Sequence, residues 1–222
     1  KDFFTFGSDK KSEDKTEVKK EVKNTEILKN AGDGVKTVAL GTGYTQALEN
    51  SVNNSNYKTS NTNYTNNTSN NKKSEIYFLM IGIDHFKAVI DEFDYDIADK
   101  VLIELAKVIH SNINEFDMVG RLNGDEFLVS ILNNVNESQA CELAKKIISD
   151  FAEVNIVVNE QTKQTLKKTV CIGFEIYKIH SDITITDCIK NADIALYEAK
   201  NKGRSELFKF SELSVEDTIE LF

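Results

Sequence analysis

Only three cysteines occur in 222 residues, Cys141, Cys171 and Cys188, and none forms a C-x-x-C pair. That argues against a disulfide framework and a thiolate metal site. They read instead as reduced, partly buried core residues of a cytosolic protein. The three histidines, His85, His110 and His180, show no metal-ligand spacing. Basic charge is scarce: 27 Lys and Arg stand against 36 Asp and Glu, for a net charge of −9. Without a long-range positive field, nucleic acid is not expected as a partner, and an anionic small ligand needs a local cluster of cations. No apolar run approaches the roughly 20 residues of a membrane helix, so no direct membrane insertion is expected. No stretch reads as a signal peptide, and the expected location is cytoplasmic. The chain opens on Lys1 rather than Met, which is expected of a piece of something longer.

The first third is compositionally distinct. From Asn50 to Asn71, ten of twenty-two residues are Asn and most others are Ser or Thr. Such a segment has too little apolar surface to offset its ordering entropy and reads as a flexible linker. Upstream, Glu17 to Leu28 has the pattern of a short charged helix, and Val35 to Leu40 that of a strand. The Phe3, Phe4, Phe6 cluster reads as a frayed end or the remains of an upstream domain. The expected organisation is an N-terminal segment with its linker over 1–72, a folded domain over 73–212 and a tail over 213–222. Ser214 and Asp217 resemble a capping box there, so the tail is expected to start a helix.

From Glu75 the periodicities sharpen. "IYFLMIGI" (Ile76 to Ile83) is a nearly continuous apolar run, as in a strand covered on both faces. Ile97, Val101, Leu105 and Val108 recur at helical spacing, as do Ala140, Leu143, Ala144 and Ile147. "MVGRL" and "EFLVSIL" form a hairpin whose Asn123-Gly124 tip suits a tight primed turn. "LKKTVCIGFEIYK" is a strand, "ITDCIKNADIALYEAKNKG" a helix with Gly203 at its C-cap, and "ELFKF" a last strand. This order predicts an α+β fold, an antiparallel-containing central sheet with helices packed on it.

The hairpin raises a chemical question, because Asp125 and Glu126 follow its tip directly and strands are usually poor in acids. If the Ile76–Ile83 strand lies beside the hairpin, its "GIDHFK" turn comes close to both carboxylates. Such a place suits Mg²⁺ holding phosphate, with Lys87, Lys200 and Arg204 as cations for a polyphosphate. The plain alternative is a solvated hairpin and ordinary surface lysines and arginine.

Five pieces in order carry a resemblance: "IDHFK" (Ile83 to Lys87), Asp99 with Leu102, "RLNGDEF" (Arg121 to Phe127), "TVCIG" (Thr169 to Gly173) and "NADIALYEAKNKGR" (Asn191 to Arg204). From about Ser74 to Phe210 the chain resembles the GGDEF domain family, the diguanylate cyclases that join two GTP molecules into cyclic di-GMP. The resemblance implies a nucleotidyl-cyclase, palm-like fold with a ferredoxin-like core. It implies a catalytic set of Asp125, Glu126 and Lys87. Asp125 would bind Mg²⁺ or Mn²⁺ and act as the base on the 3′-hydroxyl, with the backbone carbonyl of Ile83 as a further metal ligand. Asp99 would bind the guanine edge, and Lys200 and Arg204 the phosphates. An active member works as a homodimer, each half holding one GTP.

The chain departs from the family pattern. Gly82 stands where the family has a metal-binding Asp, and Ile90 where it has a guanine-binding Asn. Asp94-Tyr95 replaces a Gly-His pair, Ala98 a Gly, and Asn123 the first Gly of the signature. The inhibitory R-x-x-D reads "NEFD", with Asn114 for Arg while Asp117 remains. Losing a polar partner at Ile90 costs about 10–100-fold in guanine selection, and losing a ligating carboxylate costs at least as much. The expected function is a degenerate, catalytically inactive GGDEF domain that serves as a regulatory or scaffolding module and still binds GTP. The alternatives are an active diguanylate cyclase and a purely structural, protein-binding domain.

Overall fold

The computed structural model describes residues 36–37, 48 and 75–213. The expected upstream helix, the Phe cluster, the Asn-rich linker and the tail helix lie outside the described residues.

The strands are β1 (Lys36–Thr37), β2 (Glu75–Ile83), β3 (Met118–Arg121), β4 (Glu126–Ile131), β5 (Ile156–Asn159), β6 (Gln164–Leu166), β7 (Val170–Lys178) and β8 (Leu207–Lys209). The helices are α1 (Phe86–Phe93), α2 (Tyr95–Asn112), α3 (Glu137–Ala152) and α4 (Ile185–Lys202). Six strands form one mixed sheet in the order β1-β3-β4-β2-β7-β8, and β5-β6 is a separate hairpin. The centre is antiparallel, with β2 between β4 and β7, whereas both edges pair in parallel. The fold class is therefore α+β, as the sequence predicts.

Alternation along β2 sorts the two cores. Tyr77, Leu79, Ile81 and Ile83 pack in one cluster with residues of α1, α2 and α3. Ile76, Phe78 and Met80 pack in a second cluster with α4. With a helical layer on each face, every residue of β2 from Ile76 onward is buried, which explains the continuous apolar run. Two parts of the chain before residue 73 join this fold: Lys36–Thr37 pairs with Met118–Val119, and Leu48 is fully buried in the second cluster.

Contact between α4 and the sheet depends on Gly173. A Cβ there would lie 2.0 Å from the carbonyl oxygen of Ala192 and 2.3 Å from the backbone nitrogen of Leu196. The sequence contains no proline, and side-chain caps mark the starts of α2, α3 and α4. Asn136 with Gln139 and Thr184 with Asp187 form capping boxes on α3 and α4. Asp94 caps α2 by accepting bonds from the amides of Asp96 (2.9 Å) and Ile97 (3.1 Å).

Several local readings are corrected. "DHFK" opens helix α1 rather than a bare turn. The "LKKTV…" strand splits, with Leu166 ending β6 and β7 starting at Val170. The β3–β4 connection is not a primed two-residue turn: Gly124 has a positive φ (43°) and Asn123 does not. Gly203 follows α4 as predicted, yet the left-handed residues are the next two, Arg204 (66°) and Ser205 (53°).

Candidate functional site

The carboxylates of the hairpin meet the C-terminal part of α4 at the end of β2. Pairing of β2 with β4 sets Gly82 opposite Glu126. Gly82, Glu126 and α4 lie on the same face of the sheet, and α4 brings Lys200 over them. The Lys200 ammonium is 3.9 Å from Asp125 Oδ2, and both side chains are about three-quarters buried. A Cβ at Gly82 would lie 2.7 Å from Lys200 Nζ, 2.9 Å from its Cε and 3.1 Å from Leu196 Cδ2. The ammonium thus rests over the bare backbone of Gly82.

Burial raises the Asp125 carboxyl above its usual range, while Lys200, the amides of Asp125 and Ile83, and Arg121 pull it back. Burial also raises Glu126, reinforced by the charges of Asp193 and Asp125 and opposed by Lys200. Asp99 lies near Arg121, whose guanidinium is pulled down by burial and supported by the charges of Asp99 and Asp125. Lys87 is exposed in the first turn of α1, and Arg204 is exposed past α4. Among the described residues neither forms an ion pair. The structure therefore brings Asp125, Glu126, Lys200 and the Ile83 peptide together, and it leaves Lys87 and Arg204 without a direct tie to them.

Two acids of the motifs turn out to be structural clamps. Asp84 is buried and its carboxylate accepts from Thr169 Oγ1 (2.6 Å), Cys171 Sγ (3.2 Å) and the Ser205 amide (3.1 Å). It ties the end of β2 to the start of β7 and holds the left-handed Arg204–Ser205 turn. Asp117 is fully buried and accepts from the amides of Asn114 (3.0 Å), Leu132 (2.8 Å) and Asn133 (3.2 Å) and from Asn133 Nδ2. The last letter of "NEFD" thus joins the α2–β3 turn to the end of β4. Ile90 is half buried and packs against the first core.

Sequence reasoning gave no role to Arg121. Its Nε donates to the Gly124 carbonyl at 2.8 Å and its guanidinium grips the same oxygen a second time, fixing the hairpin loop that carries Asp125. The signal was an arginine opening the motif that carries both acids.

The resemblance implies a divalent ion between these residues. Among the described residues no group of three or more His, Cys, Asp or Glu side chains converges to hold a metal. Asp84 is buried with three donors on its carboxylate, Gly82 has no side chain, and a lysine ammonium stands in that space. The residues do not fit a resident divalent-metal site.

The mixed sheet, with a carboxylate hairpin facing the basic end of a helix, defines a palm-like α+β domain of the nucleotidyl-cyclase kind. The sequence model of the diguanylate cyclase GGDEF domain matches residues 48–206, and the chain belongs to that family. It is 35% identical to Diguanylate cyclase A of Treponema denticola over 144 residues, covering 65% of this chain and 38% of that protein. It is 36% identical to a diguanylate cyclase of Vibrio cholerae over 127 residues, covering 57% of this chain and 37% of that protein. The chain spans about two-fifths of the length of these curated relatives. The GGDEF domain of TpbB from Pseudomonas aeruginosa superposes with a TM-score of 0.64 at 25% identity, covering 80% of this chain and 91% of that domain. No described helix is long and apolar enough to cross a membrane.

Proposed function

We propose that this chain is a catalytically silent GGDEF domain of a cyclic di-GMP signalling protein, a regulatory or scaffolding module that binds GTP without joining it to a second GTP. The observation that carries this reading is that, among the described residues, β2 and the turn after it add no available carboxylate to those of the hairpin. Gly82 offers none, and Asp84 is turned into the core. A reaction that relies on a metal to position phosphate and activate a hydroxyl has little to replace it. Retention of Asp125, Glu126, Asp99, Lys87, Lys200 and Arg204 supports binding of a guanine nucleotide. In this reading Lys87 and Arg204 serve the phosphates from the exposed rim, and Asp99 the base. The partner is a second copy or another signalling protein, in the cytoplasm.

The test is turnover. Purified protein with GTP and Mg²⁺ or Mn²⁺ is expected to release no cyclic dinucleotide. Sustained product above an Asp125→Ala control would overturn the reading and favour an altered but active cyclase. Restoring the lost groups as Gly82→Asp with Ile90→Asn is expected to produce the first measurable product. The backbone at Gly82 has no left-handed φ to forbid an aspartate, and folding of the pair is checked by its melting temperature because Ile90 packs on the core.

A further inference from the structure

The position of Lys200 permits a sharper statement, which rests on the GTP-binding reading above. We infer that the Lys200 ammonium takes the place of a divalent cation in this site, so that the phosphates of a nucleoside triphosphate are held without metal.

Three observations converge on that point. The first is space. The ammonium and its neighbouring carbon lie within 2.9 Å of where a side chain at Gly82 would begin, so the lysine occupies volume that any other residue there would claim. The second is charge. Asp125 Oδ2 is 3.9 Å away, and the Lys200 charge also acts on Glu126, so the ammonium faces the same carboxylates that would otherwise hold a cation. The third is support. Leu196, one turn earlier on α4, lies over Gly82 as well, and the close approach of α4 at Gly173 fixes the height of the helix above the sheet. The lysine is therefore held on a rigid element rather than at a flexible rim.

An ammonium carries three donors and no acceptor. One can face Asp125 while another meets a phosphate oxygen, which is the bridging role of a metal performed with one positive charge instead of two. With no side chain at position 82, nothing keeps the lysine ammonium out of that space, and the cation fills it.

The experiment is calorimetric titration of the full chain with GTP in a chelating buffer and in Mg²⁺. Affinity is expected to differ by less than about threefold between the two, and Lys200→Met is expected to weaken binding in chelator by about tenfold or more. Gly82→Asp, whose side chain takes the ammonium's space and adds a carboxylate, is expected to bind GTP only when Mg²⁺ is supplied. Binding by the unmodified protein that requires Mg²⁺ would overturn this inference and leave the GTP-binding reading intact. So would chelator-insensitive binding by Gly82→Asp, or an unweakened Lys200→Met. Absence of GTP binding under both conditions would overturn both. The comparison of unmodified protein in the two buffers stands even if a variant fails to fold.

Discussion

Asp125 and Glu126 are held against the preference of the fold. Burial raises both carboxyls, and Asp193 raises Glu126 further. A carboxyl raised in the folded state favours folding while it is protonated, and that contribution disappears as the pH climbs through the folded value. Asp125→Asn is therefore expected to be more stable than the unmodified protein at neutral pH. The advantage should vanish below the carboxylate range. Thermal melts across pH measure it, and a variant less stable at pH 7 would contradict the argument. Not every acid near the motifs behaves this way. Asp84 and Asp117 are buried too, yet each has three or more donors around it. The letters alone do not separate a site carboxylate from a clamp, because the difference lies in which donors the fold brings to each.

Helix junctions show the same division at the scale of elements. Between α1 and α2, Asp94 adopts φ 100° and ψ 179°, a region that only glycine occupies easily, while its side chain caps α2. Asp94→Gly loses the cap at a cost of a few tenths of a kcal/mol and releases strain of about 1–3 kcal/mol. Asp94→Ala loses the cap and keeps the strain. Denaturant titration should place Gly above Asp and Ala below it; the reverse order would refute this account. Gly173 is the tighter constraint. Gly173→Ala would press a methyl group onto the backbone of α4 and is expected to cost about 3 kcal/mol or more, since neither strand nor helix can yield. A change in stability under 1 kcal/mol, roughly one ordinary surface substitution, would sink that expectation. Helix α1 was within reach of the sequence, because Phe86, Val89, Ile90 and Phe93 recur at helical spacing. Eight residues are too few to stand alone, and packing on the first core makes the helix. Strands β5 and β6 gave less warning, being only four and three residues long.

For the molecule as a whole, the thiols are the readiest check on the packing. All three cysteines are free and buried. Burial and the bond to Asp84 push Cys171 up to about 11. Burial and the charges of Glu175 and Asp187 do the same for Cys188, and burial raises Cys141. At mildly alkaline pH the native protein should react slowly with a disulfide reagent, and the unfolded protein should react at all three positions. Fast labelling of the native protein would mean that the two cores are not closed. The sequence by itself determined the α+β class, the fully covered central strand, the amphipathic helices and the acidic hairpin, because periodicity and local turn chemistry are written in neighbouring residues. Only the tertiary structure decided that Lys36–Thr37 and Leu48 join the domain, that Asp84 and Asp117 face inward, that Arg121 grips the hairpin loop and that Lys200 sits over Gly82. Those outcomes depend on groups far apart in the chain, brought together by strand register and by how closely α4 approaches the sheet.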